Sequence, residues 1–221
     1  MKIIAIASPA GGVGKTTLAH AISVAAAEFG KKTLLIDLDP AGALTFRLGF
    51  ENPRLTITDY LTGTSISSEQ LNLTAERFAF IAADSRLTTS FSEDALSIAL
   101  SNLPETFDLV VLDIAPSLTQ SLKLALSVAE HIFTPVDSSL HSLRALLQLR
   151  AITDIQVTAI AIGEVSNKEF SPVLDVSLVR SIEVDGLAKG TLSALTVEKN
   201  GEVAESYRSA TYSILELLGL E

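Results

Sequence analysis

The chain has 221 residues, 48% of them hydrophobic and 19% charged, with a formal net charge of −10. That length suits one α/β domain with a sizeable core, so 1–221 reads as a single domain, and the composition excludes a disordered chain. There is no cysteine, which excludes disulfides, thiolate catalysis, cysteine-bound zinc and iron–sulfur clusters, and the acidic balance argues against a surface coated for nucleic acid.

The chain opens on a continuously apolar strand at 3–7. This is too short for a membrane span and lacks the layout of a signal peptide, so the protein is expected in the cytoplasm. A glycine-rich turn follows, then a helix over 16–29 and a strand over 33–38 that ends Asp37-Leu38-Asp39-Pro40. Residues 51–76, polar and rich in Thr and Ser, read as a loop and short helix within the domain. Next come a strand at 78–82, a helix at 92–103 and a strand at 109–112 that runs into Asp113. A helix at 120–129, a strand at 131–136, a helix at 140–153 and a strand at 157–162 follow. The last helix covers about 202–218. The strands are short, continuous and rich in Val, Ile and Leu, as strands covered by helices on both faces are. Strand alternating with helix predicts a doubly wound, mostly parallel α/β sheet flanked by helices, with ligands at the carboxyl ends of its strands.

The motifs fall at those ends. Ala10-Gly11-Gly12-Val13-Gly14-Lys15-Thr16-Thr17 joins the first strand to the first helix. A loop of this kind turns several backbone N–H groups toward one anion, with the positive end of a helix behind it. Lys15 is placed to reach the β- and γ-phosphates of a nucleoside triphosphate and the Thr16 hydroxyl to ligate Mg²⁺. Gly11, Gly12, Val13, Gly14, Lys15, Thr16 and Thr17 are therefore the candidate nucleotide-binding residues.

The loop resembles the deviant Walker A loop of the ParA/MinD family of ATPases, K-G-G-x-G-K-[ST]-[ST], at every position but the first. There the family carries a signature lysine that reaches the nucleotide of a partner protomer, and this chain has Ala10. Three further elements carry the resemblance. Asp37-Leu38-Asp39-Pro40-Ala41-Gly42 is similar to D-x-D-P-Q-G, 107–113 has the Walker B form, and 131–136 is similar to the family strand that ends in Pro-Val. It covers residues 1 to about 50 and 107 to 150 and weakens beyond, where 164–167 stand in the region expected to contact adenine.

The resemblance implies ATP and Mg²⁺ as ligands. Asp39 would orient the attacking water as the catalytic partner of Lys15, and Thr16, Asp37 and Asp113 would support the metal. It also implies a homodimer with ATP sandwiched between protomers, a partner protein that stimulates a slow ATPase, and a role in partitioning or positioning DNA or a protein cargo. The absence of cysteine sets aside the iron-protein and cluster-carrier relatives. Members of the family that position carboxysomes also lack the lysine. Arg144 is the first candidate for a cation acting across the dimer, followed by Arg150 and Lys199. Arg180, Lys189, Lys199 and Arg208 are the candidate contacts for non-specific DNA, which would associate the protein with the nucleoid. The last helix has no basic face for a membrane. Two alternatives stay open: a non-hydrolysing nucleotide-dependent regulator, and a small-molecule ligase of the same phosphate-loop class.

Overall fold

The computed structural model describes residues 1–50, 52–116, 120–165, 168–180 and 191–221, so Ser166, Asn167 and Lys189 lie outside the described residues. In chain order the elements are β1 (Lys2–Ile6), α1 (Lys15–Glu28), β2 (Thr33–Leu38), α2 (Ala43–Arg47), α3 (Ile57–Leu61), β3 (Asn72–Leu73), β4 (Ala79–Ile81), α4 (Ala95–Ser101), β5 (Leu109–Ile114), α5 (Gln120–Leu126), β6 (His131–Val136), α6 (Leu140–Arg150), β7 (Val157–Ile162), β8 (Val173–Leu178), α7 (Ala194–Val197) and α8 (Glu202–Leu218). Each predicted element is present: α8 has the predicted bounds, α1 lies one residue earlier than predicted, and α4, α5 and α6 stop two or three residues short, α4 also starting three residues late. The stretch 51–76 holds α3, a short 3-10 turn and β3.

The strands form one sheet in the order β3-β4-β2-β5-β1-β6-β7-β8. Every pairing is parallel except β3 with β4. The chain leaves β1 toward one edge and later returns to build the other, so the sheet reverses its winding at β1. A crevice therefore opens at the carboxyl end of β1, where doubly wound sheets hold their ligands.

Strands apolar throughout bury both faces, and their side chains divide by parity. Leu34, Ile36, Leu38, Val110, Leu112 and Ile114 join one core cluster with α3, α4, α5 and α6. Leu35, Leu109, Val111, Ile4, Ile6 and Phe133 join another with α1, α7 and α8. Pro135 is tolerated inside β6 because the β1 pairing ends at Ile6 opposite Phe133, before the proline.

Strand β8, which continuous apolar runs do not reveal, adds the edge beside β7. Its sequence Val-Leu-Asp-Val-Ser-Leu alternates instead of running apolar. The last helix packs as expected: Val203, Ala204, Tyr207, Ala210, Ile214 and Leu215 are buried against the sheet face that α1 also covers. Among the described residues no helix is long and apolar enough to cross a membrane.

Candidate active site

The loop after β1 is built by its glycines. Gly12 has φ 72° and Gly14 φ 94°, left-handed values that strain any residue with a Cβ. Gly14 stands as the N-cap of α1, and the Gly14 carbonyl accepts the Leu18 N–H at 2.9 Å. The open N-terminus of a 14-residue helix thus faces the crevice. Ala10 is 3% exposed, its methyl turned inward, and its N–H donates to the Ser8 hydroxyl at 3.2 Å.

Lys15 is buried, and its Nζ donates to the Ala10 carbonyl at 2.7 Å. Burial lowers its pKa, while the charges of Asp113 and Asp39 act the other way. The two acids predicted beside it are thus close enough to be felt.

Asp113, next to last in β5, stands in register with a residue on each neighbouring strand, Ile6 on β1 and Asp37 on β2. It is 1% exposed, and neither carboxylate oxygen has a hydrogen-bond partner. The Thr16 side chain stands beside it, near enough to lower its pKa without meeting hydrogen-bond geometry. Burial, with the charge of Asp37 adding to it, pushes the Asp113 carboxyl well above the usual range. An orphaned buried carboxylate costs free energy that a bound cation would recover.

Asp37 is equally buried but fully used. Its Oδ1 accepts the Asp39 N–H at 2.9 Å, and its Oδ2 accepts the Thr45 N–H at 2.9 Å and the Thr45 hydroxyl at 2.7 Å. Burial raises its pKa to about 6 against those bonds. Asp37 therefore caps the first turn of α2, and Thr45 passes the connection on by accepting the Ala83 N–H at 2.8 Å. Asp39 stands half-buried at the crevice, where its Oδ1 and carbonyl accept the N–H groups of Ala41 and Gly42 at 2.8 Å and hold the loop closed.

The donor set fits Mg²⁺: oxygen only, with one unpartnered carboxylate beside a threonine hydroxyl. Among the described residues no group of three or more His, Cys, Asp or Glu could hold a metal alone.

The predicted cations separate. Arg144 is exposed on α6. Arg150 is committed to structure, with Nη2 on the carbonyls of Val157, Phe170 and Pro172 at 3.0–3.3 Å. Arg208 binds Glu28 at 2.6 Å and the Lys199 and Leu195 carbonyls at 2.6 and 3.2 Å. Lys199 is exposed near it. Arg180 lies elsewhere, on the wall of a cavity it shares with Gly11, Gly12 and Val13.

Two features escaped the sequence reading. Arg47, at the end of α2, donates to the Thr17 hydroxyl at 3.2 Å and ties that helix to α1. Along α1, Glu76 accepts from His20 at 2.6 Å and from the Ser193 N–H and hydroxyl at 2.9 and 2.6 Å, with the Thr196 hydroxyl also bound to it. The one sequence signal for this network is His20 inside an otherwise apolar helix run.

Comparison with known proteins agrees with this geometry. The model of the AAA domain family matches residues 1–162. The sporulation initiation inhibitor protein Soj of Bacillus subtilis is 30% identical over 67% of this chain and 63% of its own. The maintenance of carboxysome distribution protein A of Synechococcus elongatus is 31% identical with the same shares, 67% and 63%. The chain spans about half the length of other relatives it matches, 52% in Mycobacterium tuberculosis proteins. Among solved structures, a Borrelia burgdorferi plasmid partition protein bound to AMPPNP superposes at TM-score 0.81 and 21% identity, over 98% of this chain and 99% of that one. Cobyrinic acid a,c-diamide synthase of Mycobacterium smegmatis, with bound ATP analog and magnesium, reaches TM-score 0.78 at 25% identity over 99% and 95% of the two chains. The phosphate loop, the register-matched acids and these relatives lead to one assignment: the chain belongs to the ParA/MinD-like family of P-loop ATPases.

Proposed function

We propose that the chain binds Mg-ATP at the 10–17 loop, dimerises on it, hydrolyses it slowly and uses the cycle to partition or position DNA or a protein assembly in the cytoplasm. One observation carries this reading: the buried, unpartnered Asp113 carboxylate stands beside Thr16 and Lys15 at the mouth of a loop built to hold phosphates. Bound Mg²⁺ supplies charge neutralisation of the phosphates. Thr16 and Asp113 would hold it, with Asp37 fixing the adjoining turn.

The work left to the chain is positioning. Lys15 exchanges the Ala10 carbonyl for phosphate oxygens, and the loop N–H groups fix the anion. Asp39, held by its own turn, accepts hydrogen bonds from a water in line with the terminal phosphate. Dimerisation, a stimulating partner and Arg144 as the cation acting across the dimer are carried over from the family resemblance. So is retention on nucleoid DNA by Lys199 and Arg208, and the hydrogen bonds of Arg208 leave Lys199 as the freer of the two.

The test is sedimentation and retention on non-specific DNA, at low and high salt, with Mg-ATP against Mg-ADP. Dimers and salt-sensitive retention in ATP alone support the switch. Turnover without either would point to a second reading, a ligase of the same class. That reading draws on a cleft of about 520 Å³ beside the Asp39 turn, lined in part by Pro40, Phe46, Phe50 and Arg86.

A further inference from the structure

Arg180 sits just past β8, on the wall of a cavity of about 180 Å³ whose other walls include Gly11, Gly12 and Val13 of the phosphate loop and Asp137, Ser139 and His141 at the start of α6. Its guanidinium reaches Asp137 Oδ2 at 3.5 Å, and both side chains are partly exposed, 54% and 34%. A pair at that distance and exposure holds weakly. The other carboxylate oxygen of Asp137 is firmly held: Oδ1 accepts the Ser139 N–H at 3.1 Å, the Ser139 hydroxyl at 2.5 Å and the Ser142 hydroxyl at 2.7 Å. The acid is thus fixed by its own helix start, while the arginine is only parked on it. Meanwhile Ala10 places no charge at the loop, and Arg150 and Arg208 are committed to carbonyls and to Glu28.

We infer that Arg180 is a phosphate-binding residue of this site, a cation that leaves Asp137 for the phosphates of a nucleotide seated on its own loop. This rests on the Mg-ATP reading above. Arginine suits the task because its charge persists when partly buried and its fork grips two phosphate oxygens. A space this small lets one side chain move from the Asp137 wall to the loop wall without rearranging the fold. Asp137 then acts as a positioning residue, a built-in anion that competes with phosphate.

The test is equilibrium binding of fluorescent Mg-ATP and AMP to the full chain, at concentrations where it is monomeric, with melting of the nucleotide-free protein as control. Arg180→Ala should weaken Mg-ATP tenfold or more, change AMP less than twofold and leave melting unchanged, and Arg180→Lys should recover part of the loss. Asp137→Asn keeps the acceptor for Ser139 and Ser142 but removes the charge facing Arg180, so it should tighten Mg-ATP a few-fold. Equal affinities of wild type and Arg180→Ala, or a loss seen only where the protein self-associates, would overturn the inference. Failure of the wild type to bind Mg-ATP at all would instead overturn the nucleotide reading on which it rests.

Discussion

Two acidic groups are buried beside α1, Asp113 next to Thr16 and Glu76 against His20, and they are treated in opposite ways. Glu76 accepts hydrogen bonds from His20, Ser193 and Thr196, and these outweigh a burial that would raise it, bringing its pKa down to about 2. Asp113 has no hydrogen-bond partner for either oxygen, and burial drives its pKa up. A carboxylate satisfied by its own chain stabilises the fold, whereas an orphaned one is a cost the fold retains for something it will bind. The difference is the one the proposed Mg-ATP site predicts between an acid that holds the fold and an acid that holds a ligand.

The largest expected effect lies on the satisfied side. Glu76→Ala leaves His20, Ser193 and Thr196 without their common acceptor and should cost about 3–5 kcal/mol by urea denaturation, the range for breaking a buried pair. A loss under 1 kcal/mol would erase the contrast with Asp113.

The same group fixes an acid limit. Its folded pKa is depressed, from 4.5 to about 2, so its stabilisation is fully present above the unfolded value and drains as pH falls from about 5 toward 2, by about 3 kcal/mol in all. Denaturation of wild type and Glu76→Gln across that window should converge toward low pH. Parallel curves would show that acid sensitivity arises elsewhere.

On the nucleotide side, Asp37→Ala removes the cap of α2 and should cost about 1–2 kcal/mol, with Mg-ATP affinity falling as the Asp39 turn loosens. Smallest is Arg208→Ala. It frees Glu28 and two carbonyls at a partly exposed site and should lower stability by about 1 kcal/mol, read by the same denaturation.

The sequence makes the phosphate loop, the strand-end acids and the helix–strand alternation legible because each follows from local pattern: glycines at fixed offsets, continuous apolar runs, and an acid closing the runs at Asp37, Asp113 and Asp137. It hides what long-range packing makes. Glu76 and His20 lie 56 positions apart and carry no spacing signal. Strand β8 alternates, with Asp175 and Ser177 interrupting it, so a search for continuous apolar runs passes over it. With no strand before it, Arg180 reads as a loose basic residue for DNA, whereas two residues past the end of β8 it lines a cavity with the phosphate loop. Arg150 and Arg208 look free for the same reason, since the carbonyls and the acid that engage them come from distant segments.

The most direct test of the contrast is Asp113→Asn, the isosteric neutral substitution, measured for both unfolding stability and Mg²⁺-dependent ATP binding. If Asp113 is reserved for a bound cation, the variant folds at least as stably as the wild type and loses the Mg²⁺-dependent part of its ATP affinity. A variant that is destabilised by more than about 1 kcal/mol yet keeps its Mg²⁺ dependence would contradict the account, and would place Asp113 with Glu76 among the acids that hold the fold.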